Sequence, residues 1–174
     1  MSARAFAAFL AVLAVVGLLG FGLASKGTTG LEQGETVPDD PLTRLGAAGE
    51  GSLADYRGRW VLVNFWASWC DPCRTESPDL ARFHREHRDR RFTVLGIDTQ
   101  DLSGDALAFV REFGLGYPHL RDPDGEAAEA WGTTGVPETF LVDPAGALRL
   151  MRRGPVDERF LEGEVAPLLP GEPG

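Results

Sequence analysis

The sequence of 174 residues predicts an α/β fold, with a mixed central sheet and helices on both faces. Three observations carry that prediction. Residues 61–66 form an almost continuous apolar run broken only by Asn64, the pattern of a strand buried on both faces. A helix-length segment follows, and then a second apolar run over residues 92–98; such a β-α-β unit closes as a right-handed parallel crossover. Later, residues 137–142 and 147–152 flank Asp143-Pro144-Ala145-Gly146, a turn that joins them as an antiparallel hairpin. The predicted order is βαβα, then the ββ hairpin, then a last helix.

Taken in order, the chain starts with an uncharged stretch from Ala5 to Ala24. At helical rise it spans about 30 Å, the thickness of a bilayer core. Residues 1–25 therefore read as an N-terminal transmembrane anchor, or an uncleaved signal, with Arg4 on the cytoplasmic side and the remainder exported. A cleaved signal peptide is the alternative. Gly22-Leu23-Ala24 resembles a small-residue cleavage site, but the apolar run exceeds the usual core of about 7–15 residues. Residues 26–41 read as a polar linker, 42–166 as the folded domain, and 167–174, rich in proline and glycine, as a loose tail.

Inside the domain, Leu42, Leu45 and Leu53 suggest a short extra hairpin or strand before the first firm strand. The next helix starts at Cys70 or Pro72 and runs to Arg88. Pro72 suits its first turn, Pro78 should kink it, and Leu80 and Phe83 face inward. Ser103 is placed to cap the following helix, whose apolar face is Ala106, Phe109, Val110 and Phe113, and Gly114 to stop it. Residues 122–125 form a turn, 126–131 a short helix, and Phe160, Leu161 and Val165 mark the last helix.

The formal net charge of −9 argues against a nucleic-acid partner. No phosphate-binding Gly-Lys-Ser/Thr loop, His-Glu-x-x-His motif or nucleophile-elbow serine occurs. The only two cysteines, Cys70 and Cys73, are too close in sequence to staple distant parts, and their disulfide closes too small a loop to stabilise the fold much. A chemical role is the better reading. At a helix start the positive end of the dipole stabilises the Cys70 thiolate, and one helical turn brings Cys73 within reach. Cys70 is thus the expected solvent-facing nucleophile, and Cys73, more buried, the resolving thiol. Trp69 should pack beside Cys70 and border a docking surface, while Trp66 reads as core.

A metal site is the competing reading, because His84 and His87 follow the cysteines. One continuous helix would place His84 about 16 Å from Cys73, whereas a zinc–ligand bond is about 2 Å. The two histidines read instead as solvated surface residues. Copper or zinc held by the thiols alone, as in a metallochaperone-like domain, stays open, as does a non-catalytic interaction domain with a vestigial pair.

A buried strand leading into Trp69-Cys70-Asp71-Pro72-Cys73, a proline-interrupted helix and then Val136-Pro137 before a hairpin together resemble the thioredoxin superfamily. Asn64-Phe65-Trp66-Ala67-Ser68-Trp69-Cys70, Glu76, Gly135-Val136-Pro137-Glu138-Thr139-Phe140 and the anchor resemble its membrane-anchored TlpA, ResA and CcmG/DsbE branch. The resemblance spans residues 42–165. It implies a thioredoxin-like fold and a thiol:disulfide oxidoreductase of cytochrome c biogenesis. Such a protein sits in the bacterial cytoplasmic membrane by a single pass, its soluble domain on the extracytoplasmic side. It reduces the cysteines of apocytochrome c, or acts on the haem-ligation machinery, and a membrane thiol carrier of the DsbD/CcdA type supplies its electrons. A general disulfide oxidant or isomerase is the alternative within the superfamily. No cofactor beyond the dithiol and no metal are implied.

The resemblance also assigns roles. Pro137 is expected in the cis form, exposing the backbone of Val136 to an extended substrate, with Trp69, Asp71 and Pro72 lining the same surface. Asn64 stands where thioredoxin has a buried aspartate, and Asp71-Pro72 differs from its Gly-Pro. Glu76 or Glu138 is the candidate replacement proton acceptor; a plain helix-surface acid is the other reading of Glu76. The acids Asp71, Glu76 and Glu138 disfavour thiolate and so push the pair towards reductant behaviour, with Arg74 opposing.

Overall fold

The computed structural model describes residues 30–88 and 91–171. The expected anchor over residues 1–25 lies outside them. Among the described residues no helix is long and apolar enough to cross a membrane.

Among the described residues seven strands form one sheet: β1 (Leu42–Arg44), β2 (Glu50–Gly51), β3 (Trp60–Trp66), β4 (Phe92–Thr99), β5 (His119–Asp122), β6 (Glu138–Val142) and β7 (Leu148–Arg153). Their spatial order is β2-β1-β5-β4-β3-β6-β7. The central pairs β3–β4 and β4–β5 are parallel, and the remaining pairs are antiparallel. The helices are α1 (Asp71–His87), α2 (Ser103–Phe113), α3 (Glu126–Ala130) and α4 (Glu158–Phe160). α4 continues through a π-helical turn, Leu161–Val165, into the 3-10 turn Ala166–Leu168.

Strand alternation divides the core into two layers. Leu62 and Trp66 of β3 face α1, α2 and the C-terminal helical turns, packing with Leu80, Phe83, Phe109 and Leu161. Val61, Val63 and Phe65 face the other way, with Leu95, Ile97, Phe140 and Trp131, and α3 covers them through Ala127 and Ala128. Polar Asn64 therefore shares the α1 face with Leu62 and Trp66.

The expected mixed sheet with helices on both faces is present, but β5 has no counterpart in the predicted order. Its one apolar residue, Leu120, carries no readable alternation, and parallel pairing of Leu120 with Ile97 places it in the sheet. The hairpin at the start of the domain is real, although Leu53 lies in a 3-10 turn (Leu53–Tyr56) after it. That turn is capped reciprocally by Ser52 and Asp55. Ser103 does not cap α2. Leu102 holds the cap position, and the Ser103 hydroxyl accepts from Arg121 Nη1 at 2.5 Å.

Both ends of the domain extend beyond the expected boundaries. The linker reading of 26–41 fails within its described part. Thr36 bridges to Ala147, the Gly34 and Leu148 N–H groups donate to Leu148 and Glu35 carbonyls, and Val37 is buried. Polar sequence was misleading there, because backbone pairing on β7 carries that segment. The loose tail from 167 also fails at Leu169, which is buried against the α1-side core.

Gly96 in the middle of β4 is a packing requirement. A Cβ there would overlap His119 Nδ1 and lie 2.8 Å from Trp66 Nε1. Gly96→Ala should lower the unfolding free energy by about 1–3 kcal/mol through overpacking, read by urea denaturation; unchanged stability would mean that the indole and imidazole move aside freely.

Candidate active site

The residues with chemistry gather where β3 ends and α1 begins. The strand delivers Ala67-Ser68-Trp69 as a short turn, and Cys70 is the N-cap of α1. Its sulfur accepts from the Cys73 N–H at 3.1 Å, using one of the free donors of the first turn. Pro72 sits in that turn, where its missing N–H costs nothing. Cys70 and Cys73 form a disulfide with an S–S distance of 2.08 Å. Cys70 was expected to face solvent, but in this oxidised state it is 4% exposed, and Cys73 is fully buried. Asp71 and Pro72 are exposed beside them.

Glu76 lies three residues after Cys73, on the same helix face. It is not a surface acid: it is 1% exposed. Asn64 Nδ2 donates to its Oε1 at 2.8 Å and the Val156 N–H to its Oε2 at 2.9 Å. The same Asn64 amide donates to Thr139 Oγ1 of β6 at 3.1 Å. Burial pushes the Glu76 carboxyl up to about 7, against the pull of the Val156 and Asn64 donors. A buried acid near neutrality, one helical turn beyond the inner cysteine, is suited to exchanging a proton there. Buried Tyr117 also has its hydroxyl pushed up, by burial first and by the charge of Glu76 second.

Glu138 is buried too, but it does not join Glu76. Alternation along β6 puts it on the face of Phe140, opposite Thr139. Its Oε1 accepts from the Thr134 N–H at 2.8 Å and the Thr134 hydroxyl at 2.6 Å, and Arg153 Nε lies 3.8 Å from its Oε2. It braces the loop ahead of Pro137. The Val136–Pro137 peptide is cis, as expected, and Val136 is half-buried.

Trp69 departs from its expected packing. It is 60% exposed, and its indole N–H donates to the Gln100 carbonyl at 3.1 Å. Trp66 is core, stacked on Phe109. Arg74 is held by Glu112 and lies over the rings of Phe113 and Phe109.

The histidines are not solvated; both are buried. His84 Nδ1 accepts the Val94 N–H at 3.3 Å, and His87 Nδ1 pairs with the Phe83 carbonyl at 3.0 Å. Burial lowers the His84 pKa, with Arg88 and Arg85 adding to the effect. Lying at the far end of an unbroken α1, they share no ligand sphere with the thiols.

Two further residues at this end were not legible in the sequence. Gln100 has a left-handed backbone, φ 51°, and Asp101 accepts from Ser68. No local pattern announces either, since both act across a turn on a segment more than thirty residues away.

Comparison with known proteins places this geometry among similar ones. The model of the AhpC/TSA family matches residues 34–151. A thiol:disulfide interchange protein HelX of Rhodobacter capsulatus is 39% identical over 140 residues, 79% of this chain and 77% of that protein. A thiol-disulfide oxidoreductase ResA of Geobacillus kaustophilus is 28% identical over 94% of both. Among solved structures, one named as a thiol:disulfide interchange protein DsbE from Chlorobium tepidum aligns with a TM-score of 0.73. Its identity is 30%, over 79% of this chain and 97% of that one.

Glu76 supports a prediction with a definite sign. The carboxyl titrates near 4.5 when unfolded and near 7 when folded. Between those values the native state holds the extra proton. The stability this group contributes is therefore complete below about pH 4.5 and is lost as pH rises through about 7. Glu76→Gln removes that titration. The unfolding free energy of the wild type minus that of the variant should fall by about 1–3 kcal/mol from pH 4.5 to 8, followed by urea denaturation. A difference that stays flat would mean that Glu76 is not the titrating group.

Proposed function

The chain belongs to the AhpC/TSA family and is a thiol:disulfide oxidoreductase, and we propose that it works as a reductant of protein disulfides outside the cytoplasmic membrane. The observation that carries the proposal is the Cys70–Cys73 pair at the start of α1 with the buried Glu76 one turn beyond it.

The exchange runs in two steps. The Cys70 thiolate attacks one sulfur of a substrate disulfide; a Cys70–substrate bond forms and the other substrate sulfur leaves as thiolate, taking a proton. Cys73 then loses its proton and attacks Cys70 Sγ. The mixed disulfide breaks, the second substrate thiol is released and the Cys70–Cys73 disulfide forms. Two electrons pass to the substrate. Glu76, shielded from water beside Cys73, is the group placed to take the proton that Cys73 gives up. The dithiol itself carries the electrons, so the reaction needs no other cofactor.

Direction follows from charge. Asp71 is exposed next to Cys70, and an ionised Glu76 would lie near Cys73. Negative charge disfavours thiolate, weakens the reduced state and makes the pair a better electron donor. The backbone of Val136, ahead of cis Pro137, is the edge on which an extended substrate would pair, with Trp69, Asp71 and Pro72 lining the approach. Glu138 contributes by fixing the loop that carries Val136.

The finer reading rests on the resemblance and on the relatives' names. Residues 1–25 anchor the domain by a single pass in the bacterial cytoplasmic membrane. The substrates are cysteines of apocytochrome c or of its haem-ligation machinery, and a membrane thiol carrier of the DsbD/CcdA type returns the protein to its dithiol form.

The Cys70–Cys73 couple, equilibrated with glutathione or thioredoxin, should have a potential more negative than about −200 mV; a value near −120 mV would make the protein an oxidant instead. Cys73→Ala should accumulate mixed disulfides through Cys70, seen on non-reducing gels and lost in Cys70→Ser. Trapping that requires Cys73 would reverse the assigned roles.

A further inference from the structure

Exposed Trp69 stands between two grooves, of about 550 and 570 Å³. One runs past Thr134, Val136 and Gly125, the other past Leu102 and Pro123, and Gln100 lines both. An exposed indole beside a reactive disulfide would ordinarily sample several rotamers at a cost in substrate ordering. Here it is held. Its N–H donates to the Gln100 carbonyl, and that carbonyl is aimed by a left-handed backbone that residues other than glycine rarely adopt.

The turn that supplies the carbonyl is itself fastened. Asp101 Oδ2 accepts the Ser68 N–H at 2.6 Å, and its Oδ1 accepts the Ser68 hydroxyl at 2.9 Å and the Leu102 N–H at 2.7 Å. Arg121 Nη2 donates to the Asp101 carbonyl at 2.6 Å, while Arg121 Nε reaches buried Asp98 at 3.1 Å. The Gln100 N–H donates to the Asp122 carbonyl at 3.0 Å, and its side-chain amide lies against Gly125, Nε2 being 2.9 Å from where a Cβ would stand. One aspartate thus grips the residue before Trp69 by two bonds, and its neighbour grips the indole.

We propose that Gln100 and Asp101 form a clamp that sets Trp69 as a fixed post between the two grooves, so that a bound polypeptide crosses Cys70 along one path. Both are positioning residues acting through Trp69; neither touches the sulfurs. The clamp serves polypeptide substrates, which span the grooves, and not a small disulfide that meets Cys70 alone. This rests on the thiol:disulfide exchange reading above.

The test uses the full chain with two probes: insulin, with a small dithiol regenerating the enzyme, and Ellman's reagent as the small disulfide. Asp101→Ala should raise KM for insulin about tenfold, the loss of roughly 1.4 kcal/mol of binding, with kcat within about twofold. Its rate with Ellman's reagent should stay within about twofold of wild type. In a Trp69→Ala background the same change should add less than about twofold, because the post it holds is gone. Asp101→Asn, which keeps an oxygen for Ser68, should recover part of the insulin KM. An unchanged KM for insulin, an equal fall with both probes, or full additivity with Trp69→Ala would each overturn the clamp. Should Asp101→Ala not fold, Ser68→Ala removes only the hydroxyl bond and should raise the insulin KM by about threefold; no rise overturns the proposal. A wild type inert towards both probes would instead overturn the exchange reading.

Discussion

The carboxyl of Glu76 is where the separate parts of the domain meet. It belongs to the redox helix, yet its two oxygens are satisfied by the side chain of Asn64 on β3 and by the backbone of Val156, eighty residues further along. Through the Asn64 amide the same network reaches Thr139 of β6. Burying a carboxyl is costly, and two neutral donors do not fully replace water. The fold tolerates that cost, and the result is an acid that holds its proton near neutrality. Removing either donor would leave the other beside a poorly solvated carboxyl. The position of α1, and with it the cysteine pair, is therefore tied to the correct docking of the C-terminal helical turns.

The sheet separates two jobs that look alike in sequence. Glu76 and Glu138 are both buried acids close to the redox motif or to Pro137. Strand alternation puts Glu138 on the opposite side from the Asn64–Glu76–Thr139 group. There its partners are Thr134 and Arg153, so it shapes a loop, whereas Glu76 lies one helical turn beyond the inner cysteine. One acid is suited to moving a proton and the other to holding a substrate edge in place. The chemistry is confined to one face, and the covering loop is braced from the other.

Much of this was legible from residue patterns. The apolar run of β3, the helix-start cysteines and the hairpin after Pro137 are local signals, and each appears where its pattern placed it. The i, i+3 relation of Cys73 and Glu76 was also readable, but the burial of Glu76 depends on Val156, which no window around α1 contains. His84 and His87 failed for the same reason: a charged helix end reads as solvent, while packing against Phe92, Tyr117 and the last helical turns covers those rings. β5 holds too little apolar sequence to stand out and exists because β4 and β1 offer it hydrogen bonds. The grip of Asp101 on Ser68 is pure tertiary geometry. Local preference decides the elements, and contacts made across the fold decide what the polar residues do.

The two ends of the sheet bear on how such a domain survives at high concentration. An unpaired strand edge invites a second chain to add to it. At one end the last strand, β2, is only Glu50–Gly51, too short to template anything. At the other, β7 carries Arg149, Arg152 and Arg153, and its first residue, Leu148, with Ala147 before it, is already paired with residues 34–36. A second copy approaching that edge would meet like charge and find part of the ladder occupied. The fold thus guards against edge-to-edge aggregation with arginines and a strap of its own backbone.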